Sequence, residues 1–179
     1  MSKLDVEKVK AESRGLRGSI ASEIAEPTAR FSDESATLLK FHGSYQQENR
    51  DARKSARDEG GDKQYSFMVR VKATGGRVPA QLWRAVDDLA DRHGNGTIRI
   101  TTRQGLQLHG VRKPDLRPVI AEIVANLGST LATCGDVVRN VVAPPWPYAH
   151  VAYEVARDAA EAIAREFAPR SGAYLEIWQ

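Results

Sequence analysis

The sequence predicts an α+β fold in which one antiparallel sheet carries helices on one of its faces. Residues 65–72 alternate in polarity, residues 97–111 alternate again, and a helical pattern follows each of these stretches. Alternation at period two is typical of a half-buried strand, whereas apolar residues spaced by three and four indicate a helix. The order over residues 65–128 is therefore β-α-β-β-α, one layer of helices on a sheet.

The first strand and first helix are separated by a turn at Gly75 and Gly76. Pro79 suits the first turn of a helix, because its φ is already helical and its missing N–H is not needed there. The apolar residues of the strand share one face: Tyr65, Phe67, Val69 and Val71. Those of the helix share one stripe, Leu82, Val86 and Leu89, which Trp83 joins.

Residues 97–111 are too long for one simple strand, so we expect a bend near Gln104 and Gly105 that divides them in two. Pro114 then opens a second helix, which Gly128 closes, with apolar residues at near-helical spacing. Together with the first pair of elements, this completes the β-α-β-β-α unit.

The flanking segments have a different character. Residues 1–64 have too few large apolar residues for a core of their own, so we expect an arm that lies over something else and is poorly ordered when isolated. Residues 147–167 predict a long helix with an apolar stripe, and residues 173–179 predict a strand. The predicted division is 1–64, 65–131 and 132–179.

Composition excludes several classes of protein. Net charge is +3, and no apolar run approaches the ~18 residues of a membrane span. Because residues 1–10 lack the apolar core of a secretory signal, we expect a cytoplasmic protein with no membrane partner. The lone cysteine, Cys134, cannot form an internal disulfide or hold a metal cluster, and a buried small hydrophobe is its favoured interpretation.

The most informative pattern is a polar sheet face. Period-two alternation, with no bulge near Gln104, puts six polar side chains on it: Arg70, Lys72, Arg99, Arg103, Gln107 and His109. Four cations without a carboxylate suit a ligand with several carboxylates or a small oxyanion, because Arg offers a rigid donor fork. A solvated face is the alternative. The face lacks the aromatic side chains of an RNA-binding sheet, so no nucleic-acid partner is predicted.

At these residues the chain resembles the sirohaem-dependent nitrite and sulfite reductase family, and within it the sulfite reductase hemoprotein branch. The resemblance covers nearly the whole chain. It lies in Phe41-His42-Gly43 with Tyr45-Gln46-Gln47, Phe67-Met68-Val69-Arg70, Ile98-Arg99-x-Thr101-x-Arg103-Gln104-x-x-Gln107-x-His109, Asp136-x-x-Arg139-Asn140, and Ala173-Tyr174-Leu175-Glu176-Ile177-Trp178.

The resemblance implies a six-electron reduction of sulfite to sulfide on sirohaem coupled to a [4Fe–4S] cluster. It implies a ferredoxin-like half-domain over residues 65–131 and the start of the sirohaem and cluster domain over residues 132–179. Arg70 and Arg139 match arginines that face the anion. The matching cofactor-holding residues are Arg99, Thr101, Arg103, Gln107 and His109. Implied partners are sulfite, the C-terminal half of the enzyme, and a flavoprotein or ferredoxin donor.

The chain departs from the family pattern in one important respect. The four cysteines that hold the cluster in the family are absent, as is a lysine pair that follows in the family. We therefore expect no metal site within this chain, and an enzyme portion that is inactive alone. A non-catalytic remnant or split-enzyme module that binds a tetrapyrrole or oxyanion, and part of a nitrite reductase, stay open as alternatives.

Overall fold

The computed structural model describes residues 5–48, 64–146 and 149–179. Within those residues the centre of the fold is a four-stranded antiparallel sheet in the order β1-β2-β4-β3. Its strands are β1 (Ser44–Glu48), β2 (Tyr65–Val71), β3 (Ile98–Ile100) and β4 (Leu106–Val111). The α+β class predicted from alternating polarity is confirmed.

Helices come before, between and after these strands. Short 3₁₀ turns at Thr74–Gly76 and Lys113–Asp115 lead into two of the connections. The α-helices of the described residues are α1 (Val6–Glu12), α2 (Ile20–Ala25), α3 (Asp33–Phe41), α4 (Ala80–His93), α5 (Leu116–Ala125), α6 (Val151–Glu166) and α7 (Ala173–Trp178). The β2-α4-β3-β4-α5 order confirms the predicted central unit.

One face of the sheet is closed by α4 and α5, and the main core lies between them. The apolar residues of β2 and β4 that point to this side are fully buried, as predicted for Phe67, Val69 and Val71. They meet buried residues of the two helices: Leu82, Val86, Leu89, Leu116, Val119, Ile120 and Ile123. Trp83 was expected to join the helix stripe, but it lies on the outer side of α4 and is exposed.

The N-terminal segment packs into the same core. Its buried residues include Ile20, Leu38 and Leu39, and Phe31 meets the Phe67 ring edge-on at 5.6 Å between centroids. The segment also supplies β1, a strand that the sequence did not predict. The described part of the arm therefore packs on the core of the central unit. Its poor order in isolation stays a prediction.

Gly43 shows how closely the N-terminal segment is held. Its φ of +84° is a left-handed conformation that favours glycine. A Cβ at this position would lie 2.0 Å from the Thr130 carbonyl oxygen and 2.6 Å from Thr133 Oγ1. A side chain here would therefore separate β1 from the segment that follows α5.

The C-terminal residues form a helix, so the predicted strand over residues 173–179 is wrong. Ala173, Tyr174, Ile177 and Trp178 are buried, whereas Leu175 and Glu176 are exposed. That spacing of buried residues follows a helical period rather than alternation. Over so short a segment, contacts with buried residues of α5 and with His42 favour the helix over the strand.

His42 joins the two ends of the chain in a buried polar network. Trp178 Nε1 donates to His42 Nδ1 at 3.0 Å, so His42 Nε2 carries the proton donated to the Leu16 carbonyl at 2.8 Å. Thr130 Oγ1 donates to the His42 carbonyl at 2.6 Å, and the Tyr174 hydroxyl accepts from the Thr130 N–H at 2.9 Å. Burial lowers the pKa of His42 to about 4, so its ring is neutral at pH 7.

Helix α6 was expected to begin at residue 147 and to carry an apolar stripe. It begins at Val151 instead, with His150 as its N-cap in an extended conformation. Residues 147 and 148 lie outside the described part of the chain. The charged run that follows Glu48 lies largely outside it as well. Within the described residues, no helix is both long and apolar enough to cross a bilayer.

Candidate functional site

The sheet face opposite the main core carries a row of polar side chains across three neighbouring strands. Arg70 of β2 pairs with Gln107 of β4, and Gln107 pairs in turn with Arg99 of β3. Residues paired directly across a sheet point to the same side. Two of the sequence-predicted arginines therefore lie in one line, with an amide between them.

Arg70 is half-buried and held at several points. Its Nη1 donates to the Thr133 carbonyl at 3.3 Å, and the Thr133 hydroxyl donates to the Arg70 carbonyl at 3.0 Å. With the Gln107 amide oriented so that its oxygen faces the guanidinium, that oxygen accepts from Arg70 Nη2 at 2.6 Å and from Nε at 3.1 Å. These neutral acceptors fix the guanidinium and leave its positive charge uncompensated.

His109 lies two residues along β4 from Gln107 and therefore on the same face. Its Nε2 is buried and has no hydrogen-bond partner among the described residues. Burial lowers the pKa of His109, and the charges of Arg99 and Arg70 lower it further. The ring is thus neutral at pH 7 and offers one ring nitrogen for which the described chain provides no partner.

Arg139 lies in the segment after α5, outside the sheet. Its Nε donates to the Gly135 carbonyl at 3.1 Å. Burial raises the pKa of the Cys134 thiol, and the charges of Arg70 and Arg139 oppose that rise. Cys134 is buried, which confirms its interpretation as a small packed side chain.

Thr101 and Arg103 lie in a tight turn between β3 and β4, so the assumption of unbroken alternation through this stretch is wrong. The turn is closed by Thr101 N–H donating to the Gly105 carbonyl at 2.8 Å, and the Thr101 hydroxyl accepts from the Gly105 N–H at 3.0 Å. The Arg103 side chain is exposed on this turn. Strand register places Arg99 and Gln107 on the polar face, but it does not place Arg103.

Two residues missed by sequence reasoning tie the Arg103 turn to the segment after Arg139. Gln104 Nε2 donates to the Ala143 carbonyl at 2.6 Å, and Gln104 Oε1 accepts from the Ala143 N–H at 3.2 Å. Asn140 Nδ2 donates to the carbonyls of Ala73 at 2.8 Å and Arg103 at 2.7 Å. Only their place in the family motifs pointed to them, because hydrogen bonds between distant loops leave no periodic signal.

The charge balance of this face is one-sided. Within the described residues, none of Arg70, Arg99, Arg103 and Arg139 forms an ion pair with a carboxylate. Elsewhere the chain does pair its arginines, as Arg92 does with Glu122 at 2.8 Å. We call Arg70, Arg99, Gln107 and His109 the basic face. It suits a group with several carboxylates or a small oxyanion.

Comparison with known proteins gives the family context. Residues 60–126 match the family described as nitrite/sulfite reductase ferredoxin-like half domain. The chain is 50 % identical over 97 % of its length to the ferredoxin sulfite reductase of Synechococcus elongatus, covering 27 % of that protein. It is 46 % identical over 98 % of its length to the NADPH sulfite reductase hemoprotein beta-component of Staphylococcus saprophyticus, covering 31 % of it.

A solved structure shows the same fold. The Mycobacterium tuberculosis NirA protein superposes with a TM-score of 0.71 over 93 % of this chain and 32 % of that chain, at 20 % identity. The chain therefore spans about 30 % of the length of the relatives it matches. The resemblance drawn from the motifs is confirmed: residues 60–126 are a ferredoxin-like half domain of the nitrite and sulfite reductase family, in a chain related to sulfite reductases along nearly its whole length.

Proposed function

We propose that this chain forms the sirohaem- and anion-binding wall of a sulfite reductase hemoprotein. The observation that carries the proposal is the row of Arg70, Gln107 and Arg99, whose two cations have no carboxylate partner among the described residues. A half-buried guanidinium without a counter-charge is costly unless a ligand supplies one. The 50 % and 46 % identities to sulfite reductases support sulfite as the substrate.

The residues divide into two groups by their surroundings. Arg99, Gln107 and His109 lie toward the β3 edge of the sheet, and we assign them to the carboxylates of sirohaem together with Thr101 and Arg103 of the turn. Arg70 lies on β2, at the other end of the basic face, and we assign it to the sulfite anion together with Arg139 of the segment after α5. Cations held by neutral acceptors stabilise negative charge on a bound oxyanion without rearranging.

The described residues fit the organic part of the cofactor better than the cluster. The unpartnered Nε2 of His109 and the unpaired arginines suit an anionic tetrapyrrole. Sirohaem, when bound, supplies the iron at which sulfite is reduced. A [4Fe–4S] cluster takes four thiolates, whereas the chain has one cysteine, and the described residues contain no His, Cys, Asp and Glu group suited to a metal. The cluster ligands therefore come from the remaining hemoprotein polypeptide.

Two further consequences follow for the whole enzyme. The chain alone is inactive in sulfite reduction, because it lacks the cluster ligands. Its relatives are named for two electron donors, ferredoxin and NADPH, and the described residues favour neither. A cytoplasmic location is part of the same proposal, since a multi-electron reductase of this kind depends on cellular reductants.

The test is a chimera in which this chain replaces the matching stretch of the Synechococcus elongatus ferredoxin sulfite reductase. We expect the chimera to bind sirohaem and to form sulfide from sulfite with reduced ferredoxin or reduced methyl viologen. Nitrite is assayed in parallel, because the family includes nitrite reductases. The isolated chain serves as the inactive control. A folded chimera that carries sirohaem but prefers nitrite would replace the proposed substrate, and one without sirohaem would overturn the proposal.

A further inference from the structure

Helix α6 presents its large apolar residues outward and its small ones inward. Ala160 and Ala164 are the residues that it buries against the rest of the described chain, near the Thr74–Gly76 turn. Val151, Val155 and Ile163 are exposed by 68 %, 62 % and 46 %. A helix that lies on a domain surface in water normally buries valine and isoleucine before alanine. The orientation of α6 is therefore the reverse of that expected for a helix whose outer side faces water.

The outward face is apolar except for Glu166 at its C-terminal end, which pairs with Arg170. At 100° per residue, one side of α6 carries six exposed apolar residues, whereas four of the other charged residues gather on a flank. We call this side the α6 stripe, formed by Val151, Ala152, Val155, Ala159, Ala162 and Ile163. The flank consists of Glu154, Asp158, Glu161 and Arg165, and Glu161 pairs with Arg77 at 3.6 Å. The separation of the two sides marks the stripe as a contact surface.

We propose that an apolar surface of the remaining hemoprotein polypeptide packs against the α6 stripe. This proposal rests on the proposed function. The relatives match nearly all of this chain yet leave roughly 70 % of their own length outside the match, since it covers 27–31 % of them. The NirA structure has the same fold within a chain of which this one covers 32 %. Additional polypeptide is thus joined to this fold in its relatives.

The size of the stripe argues against a second copy of this chain as the occupant. Sixteen residues of helix are about 24 Å long and present a side about 10 Å wide, so the stripe offers roughly 240 Å². A stable interface between separate proteins buries about 800 Å² on each partner. A surface of this size packs stably when the two sides belong to one covalent chain, because association then costs far less entropy.

The test compares the same substitutions in the isolated chain and in the Synechococcus chimera. Val155→Lys and Ile163→Lys should leave the Tm of the isolated chain unchanged, because both side chains are exposed there. In the chimera each should lower the Tm by several degrees and speed proteolysis beside α6, since a lysine would be placed against an apolar surface. Asp158→Lys, on the exposed flank of the same helix, is the matched control and should be neutral in both proteins.

Each other outcome has a distinct meaning. If the stripe variants are neutral in the chimera, the stripe faces solvent in the whole enzyme and the inference is wrong. If the isolated chain forms a dimer at micromolar concentration that Val155→Lys dissociates, the occupant is a second copy. Sirohaem absorbance is read separately in the same samples. A chimera that lacks sirohaem while its Tm still falls with Val155→Lys would overturn the proposed function and leave the docking surface supported.

Discussion

The two faces of the sheet differ in how completely the chain satisfies them. On one face, β2 and β4 bury Val69 and Leu108 under α4 and α5. On the other, the neighbouring residues Arg70 and Gln107 belong to the basic face, whose arginines have no carboxylate partner in the described chain. Adjacent residues of one strand thus have different roles: Val69 packs in the core, and Arg70 lies on the basic face. The first face is closed by the helices of the chain, and the second leaves its arginines without a counter-charge among the described residues.

The largest contrast is expected between two neighbouring residues of β4. Leu108→Ala should destabilise the isolated chain by about 2–5 kcal/mol, because it leaves a cavity in the closed face. Gln107→Ala should cost less than about 1 kcal/mol, since its side chain lies on the open face. Denaturant unfolding measures both free energies. Equal losses for the two variants would mean that the open face also supports the fold.

The buried His42 gives the next largest effect, and it appears as a dependence on pH. Its pKa is about 4 in the folded chain, against 6.5 for an ordinary histidine, so the unfolded state binds an extra proton between these values. Stability is therefore complete above pH 6.5 and falls by about 3 kcal/mol as pH drops to 4. Unfolding free energies measured from pH 7 to pH 4 test this.

Two variants isolate the contribution of His42 from that of His109, whose pKa is lowered in the same direction. His42→Gln should flatten the pH dependence between pH 6.5 and pH 4, whatever its effect on absolute stability. His109→Gln, made in parallel, should leave in place the pH dependence that His42 causes. A pH dependence as steep in His42→Gln as in the parent chain would show that His42 is not the responsible group.

The smallest effect is expected at the surface, where Arg17 binds Glu176 through two hydrogen bonds of 2.6 and 2.5 Å. Both side chains are exposed, so solvent screens the pair. Glu176→Gln should therefore change the unfolding free energy less than Gln107→Ala changes it, and added salt should reduce the difference further. A loss comparable to that of Leu108→Ala would show that the ion pair, rather than the His42 network, holds α7 in place.

The sequence predicted those parts of the molecule that follow from the local spacing of apolar residues. Alternation in β2 identified the core face and placed Arg70 opposite it, and the helical spacing located α4 and α5. Alternation failed at Thr101 and Arg103, because hydrogen bonds from Thr101 replace strand pairing with a turn. It failed again over residues 173–179, where burial against distant elements decides the conformation.

Long-range contacts account for what the sequence could not predict. Strand β1 forms because its pairing with β2 is available, and nothing in its five residues alone requires a strand. The clamp of Gln104 on Ala143 joins segments 39 residues apart. The resemblance to the family marked most of these residues, but their contacts emerge only when the chain is folded.

The central claim is that two arginines of the basic face, Arg70 and Arg99, divide into an anion-facing and a cofactor-holding role, with Arg139 joining the first and Arg103 of the β3–β4 turn joining the second. The most direct test measures sirohaem absorbance per protein and sulfite turnover for four variants of the chimera. Arg99→Ala and Arg103→Ala should lower sirohaem retention, since each removes a charge-assisted bond worth roughly 1.5–3 kcal/mol, about 10- to 150-fold in affinity. Arg70→Ala and Arg139→Ala should keep the haem and slow turnover. Equal loss of sirohaem in all four, or full retention and turnover in all four, would contradict the account.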